Sequence, residues 1–214
     1  MTEEQVRKKP KADETLRILK KISIIQLPYV GDLEGAYRMG VRIGRAAQAF
    51  EVGELVIAPY EEIDIEQFER FLSGIIEGRN SRFEIQKKSY GRRVRLVPVK
   101  IRDLFQLVRS RFGEVFITTS AKGTQIDMET CKSIVDLFKR EKRINVFIGS
   151  REGIPTGIMR WSKLTINLCP GLTFATEHGI PSVVTAIITC HQILKENKKR
   201  QNIAYPSYLI RNKI

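Results

Sequence analysis

Two short apolar runs, each opening directly into a polar loop with glycine and proline, constrain the fold of this chain most. The first run, Val146–Ile148, is followed by the loop Gly149–Pro155, and the second, Leu164–Leu168, is followed by Cys169–Glu177. Short apolar runs bounded by such loops are typical of buried parallel strands. In open parallel sheets, ligands bind beyond the carboxyl ends of the strands. The sequence therefore predicts a binding site in the last third of the chain.

Strand and helix patterns alternate through the rest of the sequence. Apolar runs at Ile22–Leu27, Leu55–Ala58 and Val115–Ile117 precede segments with helical spacing of apolar residues. This alternation predicts an α/β fold, with a mainly parallel sheet flanked by helices. A final helix over Ser182–Leu194 is apolar nearly all round, so we expect it to be buried within the fold or against a second subunit.

The length of 214 residues suits one main domain. Residues 1–16 lack periodicity and are predicted to form a flexible basic arm, residues 17–195 the domain, and residues 196–214 a basic tail. A helix with apolar positions from Ile65 to Ile76 is predicted to end at Gly78. A basic loop is predicted to follow it over residues 79–100, and another loop over Thr118–Gly123.

The charge balance points to a partner rich in phosphate. Thirty-seven Lys and Arg against 24 Asp and Glu give a formal charge of +13, and an anionic membrane surface is the competing explanation. No apolar stretch reaches the length of a transmembrane helix, and the charged N-terminal residues lack the apolar core of a secretory signal. The three cysteines are odd in number and set in apolar runs, so we expect a reducing, cytoplasmic location and no membrane partner.

Two groups of basic residues are candidates for contacting nucleic acid. Arg38, Arg42 and Arg45 recur one turn apart on a predicted helix, where they form either an ordinary solvated face, the more common case, or a stripe along a nucleic-acid backbone. In the densest basic segment Phe83 and Tyr90 stand among the cations, and such rings can stack on bases. That segment is either a solvated loop or an RNA-binding site formed by Arg79, Arg82, Lys87, Lys88, Arg92, Arg93 and Arg95.

Several familiar site types find no support. No Gly-Lys-Ser/Thr follows Gly149–Gly153, and no dinucleotide-binding glycine pattern follows the first strand. The two histidines, His178 and His191, do not pair with the cysteines at a metal-ligand spacing, so no metal is expected. Glu177 precedes the last helix, where a carboxylate is often only a cap, and catalysis is the other interpretation.

The runs Phe147–Gly153, Thr165–Gly171 and Thr176-Glu177 resemble the C-terminal knot of the SPOUT (α/β-knot) RNA methyltransferases. The segment Gly40–Ile57 is similar to the first helix and second strand of the archaeal and eukaryotic branch of putative SPOUT RNA methyltransferases. The resemblance covers most of residues 20–195. It implies a C-terminal trefoil knot at about residues 143–195.

The resemblance also implies a cofactor, a partner and a reaction. S-adenosylmethionine would bind within the knot, the second subunit of a homodimer would complete the site, and the methyl group would pass to a base or ribose of rRNA or tRNA. Arg45, Arg151 and Glu177 are the catalytic candidates for orienting RNA and handling the proton. The implied cofactor contacts are Thr118, Thr119, Gly149, Ser150, Gly153, Ile154, Leu168, Pro170, Gly171, Thr173 and Phe174.

A catalytically silent RNA-binding protein of the same fold, for example in ribosome assembly, is the alternative function. Ala175 stands where that branch carries Arg, which favours the alternative, whereas the intact cofactor loop disfavours it. The branch also carries an inserted β-barrel RNA-binding domain, for which residues 79–102 have room only for a basic loop.

Overall fold

Three apolar segments form strands that are buried along their whole length: β1 (Ile22–Gln26), β2 (Glu54–Ile57) and β5 (Ile144–Ile148). The other three strands are β3 (Val99–Ile101), β4 (Val115–Gln125) and β6 (Leu164–Asn167). The computed structural model describes residues 9–29, 31–150, 153–172 and 175–204, with side chains from residue 14 to residue 200. Its sheet is parallel throughout, in the order β3-β2-β1-β5-β4-β6, so the predicted α/β fold with a parallel sheet is confirmed.

Helices cover both faces of this sheet. One face carries the larger hydrophobic core, in which Ile24, Leu55 and Val146 lie side by side on adjacent strands. The other face packs Ile25, Val56 and Phe147 in a smaller core. The described helices are α1 (Lys9–Lys20), α2 (Leu33–Phe50), α3 (Ile65–Ser89), α4 (Leu104–Ser110), α5 (Met128–Arg140), α6 (Thr156–Trp161) and α7 (Gly179–Ala204).

The two cores are covered unequally. Helices α1, α2, α3, α5 and α7 all contribute side chains to the larger core, whereas α4 and the six-residue α6 cover the smaller one. On α7, Val183, Val184 and Ile187 are buried in the larger core, while Thr185 is exposed. The last helix is therefore buried within the fold along one face. This is one of the two alternatives that the sequence predicted for it. No helix in the described ranges is long and apolar enough to cross a membrane.

Glycines bring α2 and α3 into backbone contact. A Cβ atom on Gly40 or Gly44 would lie 2.2 or 2.1 Å from a carbonyl oxygen of α3, and one on Gly74 or Gly78 would lie equally close to a carbonyl oxygen of α2. No side chain fits at such distances, so all four positions require glycine. The prediction that the helix ends at Gly78 is therefore wrong: this glycine serves close packing, and α3 continues to Ser89.

The chain termini and β4 also depart from the predictions. Helix α1 begins at Lys9, inside the predicted flexible arm, because Leu16 and Leu19 pack into the larger core. Helix α7 continues through Ala204 into the predicted tail, and residues 1–8 and 205–214 lie outside the described residues. The predicted loop Thr118–Gly123 belongs to β4, because pairing with β6 holds Thr118 and Thr119 in the sheet.

A disulfide between Cys131 and Cys190 joins α5 to α7, which the sequence did not predict.

A buried polar network joins the amino ends of β1, β2 and β5. The Arg111 guanidinium donates to Glu54 at 2.7 Å, to Ser23 at 2.7 Å and to Asn145 at 2.5 Å. Lys100 adds a second cation to the Glu54 carboxylate at 2.7 Å. Burial raises the pKa of Glu54, but the hydrogen bonds from Lys100 and Ser23 and the charge of Arg111 outweigh it and lower the pKa to about 2.

Glu54→Gln should destabilise the protein at pH 7 by about 3–5 kcal/mol, because it leaves the buried Arg111 cation without its counter-charge. The folded-state pKa of Glu54 is depressed from 4.5, so its stabilisation is complete above pH 4.5 and is lost as the pH falls towards about 2. Urea unfolding at a series of pH values should therefore show a smaller acid-induced loss of stability in Glu54→Gln than in the parent chain.

Asp136→Asn is the control for the Glu54 substitution, because Asp136 forms an exposed pair with Lys139. It should leave both the free energy of unfolding at pH 7 and its acid dependence nearly unchanged. An acid response of Glu54→Gln equal to that of the parent chain would show that Glu54 does not carry the linkage.

Candidate functional site

A cavity of about 370 Å³ lies beyond the carboxyl ends of β5 and β6 and beside the second half of β4. This is the edge of the sheet at which the sequence predicted a site. The cavity is lined by Thr119, Ser120, Ala121, Lys122, Ile148, Gly149, Ser150, Gly153, Ile154, Met159, Asn167, Leu168, Leu172, Ala175, Thr176 and Gly179. Lys122 is the charged residue among them.

Backbone rather than side chains forms the wall that follows β5. The amide of Gly153 donates to the carbonyl of Ser150 at 3.0 Å, and Gly153 has a left-handed φ of 81° that favours glycine. A Cβ atom on Gly149 would lie 2.9 Å from the Gly153 carbonyl carbon, so Gly149 approaches Gly153 too closely to carry a side chain. Because Gly149 and Gly153 carry no side chains, this wall lets a ligand approach the peptide backbone closely.

A bulge in β4 packs against β6 and closes the cavity from another side. Thr119 and Thr124 both face Ile166, so the residues between them bulge out of the sheet. A Cβ atom on Gly123 would lie 2.7 Å from backbone atoms of β6, and the Asn167 side chain donates to the Ala121 carbonyl at 2.9 Å. Asn167 therefore fixes the bulge against the loop that follows β6.

The structure brings together most of the predicted cofactor contacts that it describes. Thr118 lies beneath the cavity, fully buried, with its hydroxyl 2.8 Å from that of Thr165. Pro170 and Gly171 do not line the cavity, because they form the exposed turn between Leu168 and Leu172, which do. The predicted contacts that line it are Thr119, Gly149, Ser150, Gly153, Ile154 and Leu168. Arg151, Thr173 and Phe174 lie outside the described residues.

Other lining residues were not among the individual contacts predicted from the sequence. Ala121 and Lys122 reach the cavity through the β4 bulge, which depends on pairing between distant segments. Met159 comes from α6, a six-residue helix too short to give a periodic signal. Asn167 was detectable, because it opens the Asn-Leu-Cys-Pro-Gly run that carries the family resemblance.

Glu177 is held by α2 at the rim of this cavity. It follows the lining residue Thr176 in a 3-10 turn over Thr176–His178, and its carboxylate accepts a hydrogen bond from Arg42 at 2.6 Å. The Glu177 side chain is 17% exposed and that of Arg42 is 59% exposed, so the pair is open to solvent on the arginine side. Arg45 lies one turn further along α2 and is exposed, and Arg38 pairs with Glu34 at 3.7 Å.

Three arginines of the basic segment, Arg79, Arg92 and Arg95, make contacts within the fold. Arg95 donates to the carbonyls of Glu51, Val52 and Gly53 just after α2, and Arg92 forms an ion pair with the buried Glu51 carboxylate. Arg79 donates to the carbonyl of Val97 at 3.3 Å. These contacts anchor residues 92–97, which do form a loop, against the end of α2. The predicted basic loop over residues 79–100 is wrong for residues 79–89, which belong to α3.

The remaining basic candidates face solvent on or just after α3. Lys87, Lys88 and Arg93 are exposed, and Arg82 is half-buried. Lys87 lies 3.8 Å from Glu84, an exposed pair that contributes little to stability. Because α2 and α3 are in contact, Arg82, Lys87 and Lys88 lie on a helix adjacent to the one that carries Arg38, Arg42 and Arg45.

Sequence comparisons place the chain among known proteins. Residues 16–207 match a family model described as AF2226-like SPOUT RNA Methylase fused to THUMP. The uncharacterized protein MJ0421 of Methanocaldococcus jannaschii is 44% identical over 172 residues, which cover 79% of this chain and 48% of the relative. The chain therefore spans about half the length of the curated relative it matches.

Solved structures share the fold at low sequence identity. The probable methyltransferase of Bordetella pertussis has a TM-score of 0.54 at 10% identity, with 83% of this chain and 98% of that chain covered. A putative methyltransferase of Legionella pneumophila, solved in complex with S-adenosylmethionine, has a TM-score of 0.52 at 15% identity and covers 78% of this chain and 65% of its own. With the family model matched from residue 16 to residue 207, the chain belongs to the SPOUT RNA methylase family.

Proposed function

We propose that this protein transfers a methyl group from S-adenosylmethionine to a base or ribose of rRNA or tRNA. The observation that carries the proposal is the backbone-walled cavity at the carboxyl ends of β5 and β6, in a chain that belongs to the SPOUT RNA methylase family. A structural neighbour of the same fold was solved with this cofactor bound. The test is methyl transfer from labelled S-adenosylmethionine to RNA by the purified protein.

The cavity suits S-adenosylmethionine in size and chemistry. Its volume of about 370 Å³ lies in the range of small-molecule sites. Ile154, Leu168 and Leu172 offer apolar contact for the adenine ring, and the peptide groups of Gly149 and Gly153 offer hydrogen bonds. Lys122 can pair with the cofactor's carboxylate. Thr173 and Phe174, outside the described residues, stay in the proposed site on the family resemblance.

The bound cofactor supplies a methyl group on a positively charged sulfur, ready for displacement. In the proposed reaction an oxygen or nitrogen of RNA forms the new bond to carbon as the carbon–sulfur bond breaks, and the acceptor loses a proton. Glu177 is the candidate proton acceptor, because Arg42 orients its carboxylate beside the lining residue Thr176. Arg45 and Arg151 remain the candidates for orienting the RNA phosphate groups.

The proposed homodimer rests on the exposed side of α7. Thr185, Thr189 and Ile193 line a groove of about 700 Å³ together with Met128 and Leu168. Leu168 also lines the cofactor cavity, so a second subunit seated in this groove would contact the wall of the site. The proposed trefoil knot rests on the family resemblance of the C-terminal segment and on the match to the SPOUT family model.

A catalytically silent RNA-binding protein remains the second candidate, and one observation favours it. Ala175 lines the cavity at the position where the archaeal and eukaryotic SPOUT branch that this sequence resembles carries Arg. The methyl side chain of Ala175 supplies no charge there. Such a protein would bind RNA without transferring a methyl group. The methyl-transfer assay separates the two candidates directly.

Gly153→Val should abolish S-adenosylmethionine binding, because the side chain would project from a glycine that lines the cavity. Isothermal titration calorimetry should show at least a tenfold loss of affinity, which corresponds to about 1.4 kcal/mol.

Gly171→Val is the matched control for that substitution. Gly171 has a φ of 80°, nearly equal to the 81° of Gly153, and a Cβ atom on either meets open space. Both variants therefore carry similar backbone strain, but Gly171 does not line the cavity. Equal affinity losses in the two variants would show that strain, and not occupation of the cavity, disrupts binding.

Two sets of substitutions should separate RNA binding from chemistry. Changing Lys87, Lys88 and Arg93 together to Ala should weaken RNA binding and flatten its salt dependence by about 0.7 in the log–log slope for each RNA phosphate that is no longer neutralised.

Glu177→Gln should instead preserve RNA affinity and lower the methyl-transfer rate by roughly 10²-fold. Filter binding at several salt concentrations and single-turnover transfer assays measure the two effects.

A second triple variant is the control for the loss of formal charge alone. In it, three exposed lysines outside the basic surface, Lys132, Lys139 and Lys142, are changed to Ala. That variant loses the same formal charge but should keep the salt slope. Arg92 and Arg95 are left in place because they hold the end of α2. If the two triple variants behave alike, the basic surface of α3 has no specific role in RNA binding.

Thr185→Arg should convert the proposed dimer to a monomer, because it places a charge on the exposed side of α7 within the apolar groove. Light scattering at micromolar concentration should report a dimer for the parent chain. Ser133→Arg, at an exposed position of α5 that does not line the groove, should leave the dimer intact. A monomeric parent chain would contradict the proposal.

A further inference from the structure

An apolar groove of about 530 Å³ lies between α4 and α6, separate from the cofactor cavity. It is lined by Phe105 and Phe112 from the α4 region and by Pro155, Ile158 and Trp161 from the α6 region. The short helix α6 separates the two cavities: Met159 lines the cofactor cavity, whereas Ile158 and Trp161 line the groove. The groove thus begins one residue from a wall of the cofactor cavity.

The aromatic rings of this groove are unusually open to solvent. Phe112 is 90% exposed, Trp161 is 67% exposed and Phe105 is 62% exposed. Such large apolar side chains, gathered in one place, mark a surface that binds a ligand or partner. Burying them would recover hydrophobic free energy that the isolated chain does not gain.

The charge around the groove selects the kind of ligand. Arg109 is the one charged residue among those that line it. Arg160 and Lys163 lie close to Trp161 in the chain, which adds positive charge at the same end. Asp103 is turned towards α4, where its carboxylate accepts the Gln106 amide at 2.9 Å. The surface therefore combines aromatic rings with cations, the chemistry that recognises nucleobases and phosphate.

We propose that this groove binds single-stranded RNA, with bases stacked on Phe105, Phe112 and Trp161 and with Arg109 beside a phosphate. The proposal rests on the proposed methyltransferase function, since the groove adjoins the cofactor cavity across α6. RNA held there continues past α6 towards the methyl donor. Stacking on three rings supplies affinity without reading a defined sequence, because every base has a face that can stack.

The chain contains a single tryptophan, and it lies in this groove, so its fluorescence reports on the groove alone. Titration with a short single-stranded oligoadenylate should quench the Trp161 emission in a saturable manner, because a stacked base quenches indole. A double-stranded RNA of the same length, whose bases are already stacked on one another, should quench far less. Absence of quenching by the single strand would overturn the proposal.

Substitutions distinguish stacking from general apolar contact. Phe105→Leu and Phe112→Leu keep an apolar side chain but remove the ring, so each should weaken oligoadenylate binding by roughly tenfold. Ile65→Ala removes an exposed apolar side chain outside the groove and should leave binding unchanged. Retention of full affinity in both leucine variants would show that base stacking does not occur there.

Calorimetric titration of the same protein with S-adenosylmethionine distinguishes failure of the groove proposal from failure of the proposed function. If the protein binds the cofactor but oligoadenylate does not quench Trp161, the proposal that the groove binds RNA is overturned and the methyltransferase proposal stands. Quenching without cofactor binding supports the groove and argues for the silent RNA-binding candidate. A shift of Trp161 emission to shorter wavelength as the protein alone is concentrated would identify a second copy as the occupant and overturn the proposal.

Discussion

The backbone contact between α2 and α3 is the constraint on which the functional arrangement depends. Four glycines allow each helix to press against carbonyl oxygens of the other, at distances where any Cβ atom would clash. Helix α2 packs on the sheet and carries Arg42, which holds Glu177 at the rim of the cavity. Helix α3 carries the exposed cations Lys87 and Lys88. The glycine contact therefore sets the position of the basic surface relative to the candidate catalytic carboxylate.

The strong positive charge of the chain serves two physical roles. Arg111 is buried in the network with Glu54, and Arg95 satisfies three backbone carbonyls that follow α2. Such groups contribute to stability and are not available to a phosphate. The exposed cations Arg45, Lys87 and Lys88 can meet RNA at little desolvation cost, because they face solvent in the free protein. The net charge of +13 therefore overstates the positive surface that is open to a phosphate-rich partner, and the contacts of each arginine decide its role.

The sequence predicted the parallel sheet and the edge that bears the site, because β1, β2 and β5 are largely apolar runs and the loops after β5 and β6 contain glycine and proline. The sequence-based predictions were wrong where the same residue type is found in two different structural settings. Gly78 looked like a helix end but serves helix packing. The polar Thr118–Gly123 looked like a loop, yet pairing with β6, distant in sequence, holds Thr118 and Thr119 in the sheet and leaves the following residues as a bulge within β4. Local patterns do not encode such long-range contacts.

The proposed cofactor cavity shares a wall with each of two apolar surfaces. Leu168 separates it from the α7 groove proposed to hold a second subunit, and the six-residue α6 separates it from the aromatic groove proposed to hold RNA. A short helix has few internal hydrogen bonds, so its stability depends on what packs against it. Ile158 anchors α6 in the smaller core, while Trp161 at its end remains open to solvent. An RNA base stacked on Trp161 would therefore support the same helix whose Met159 lines the proposed cofactor cavity, and RNA binding in the groove would then be coupled to the shape of that cavity.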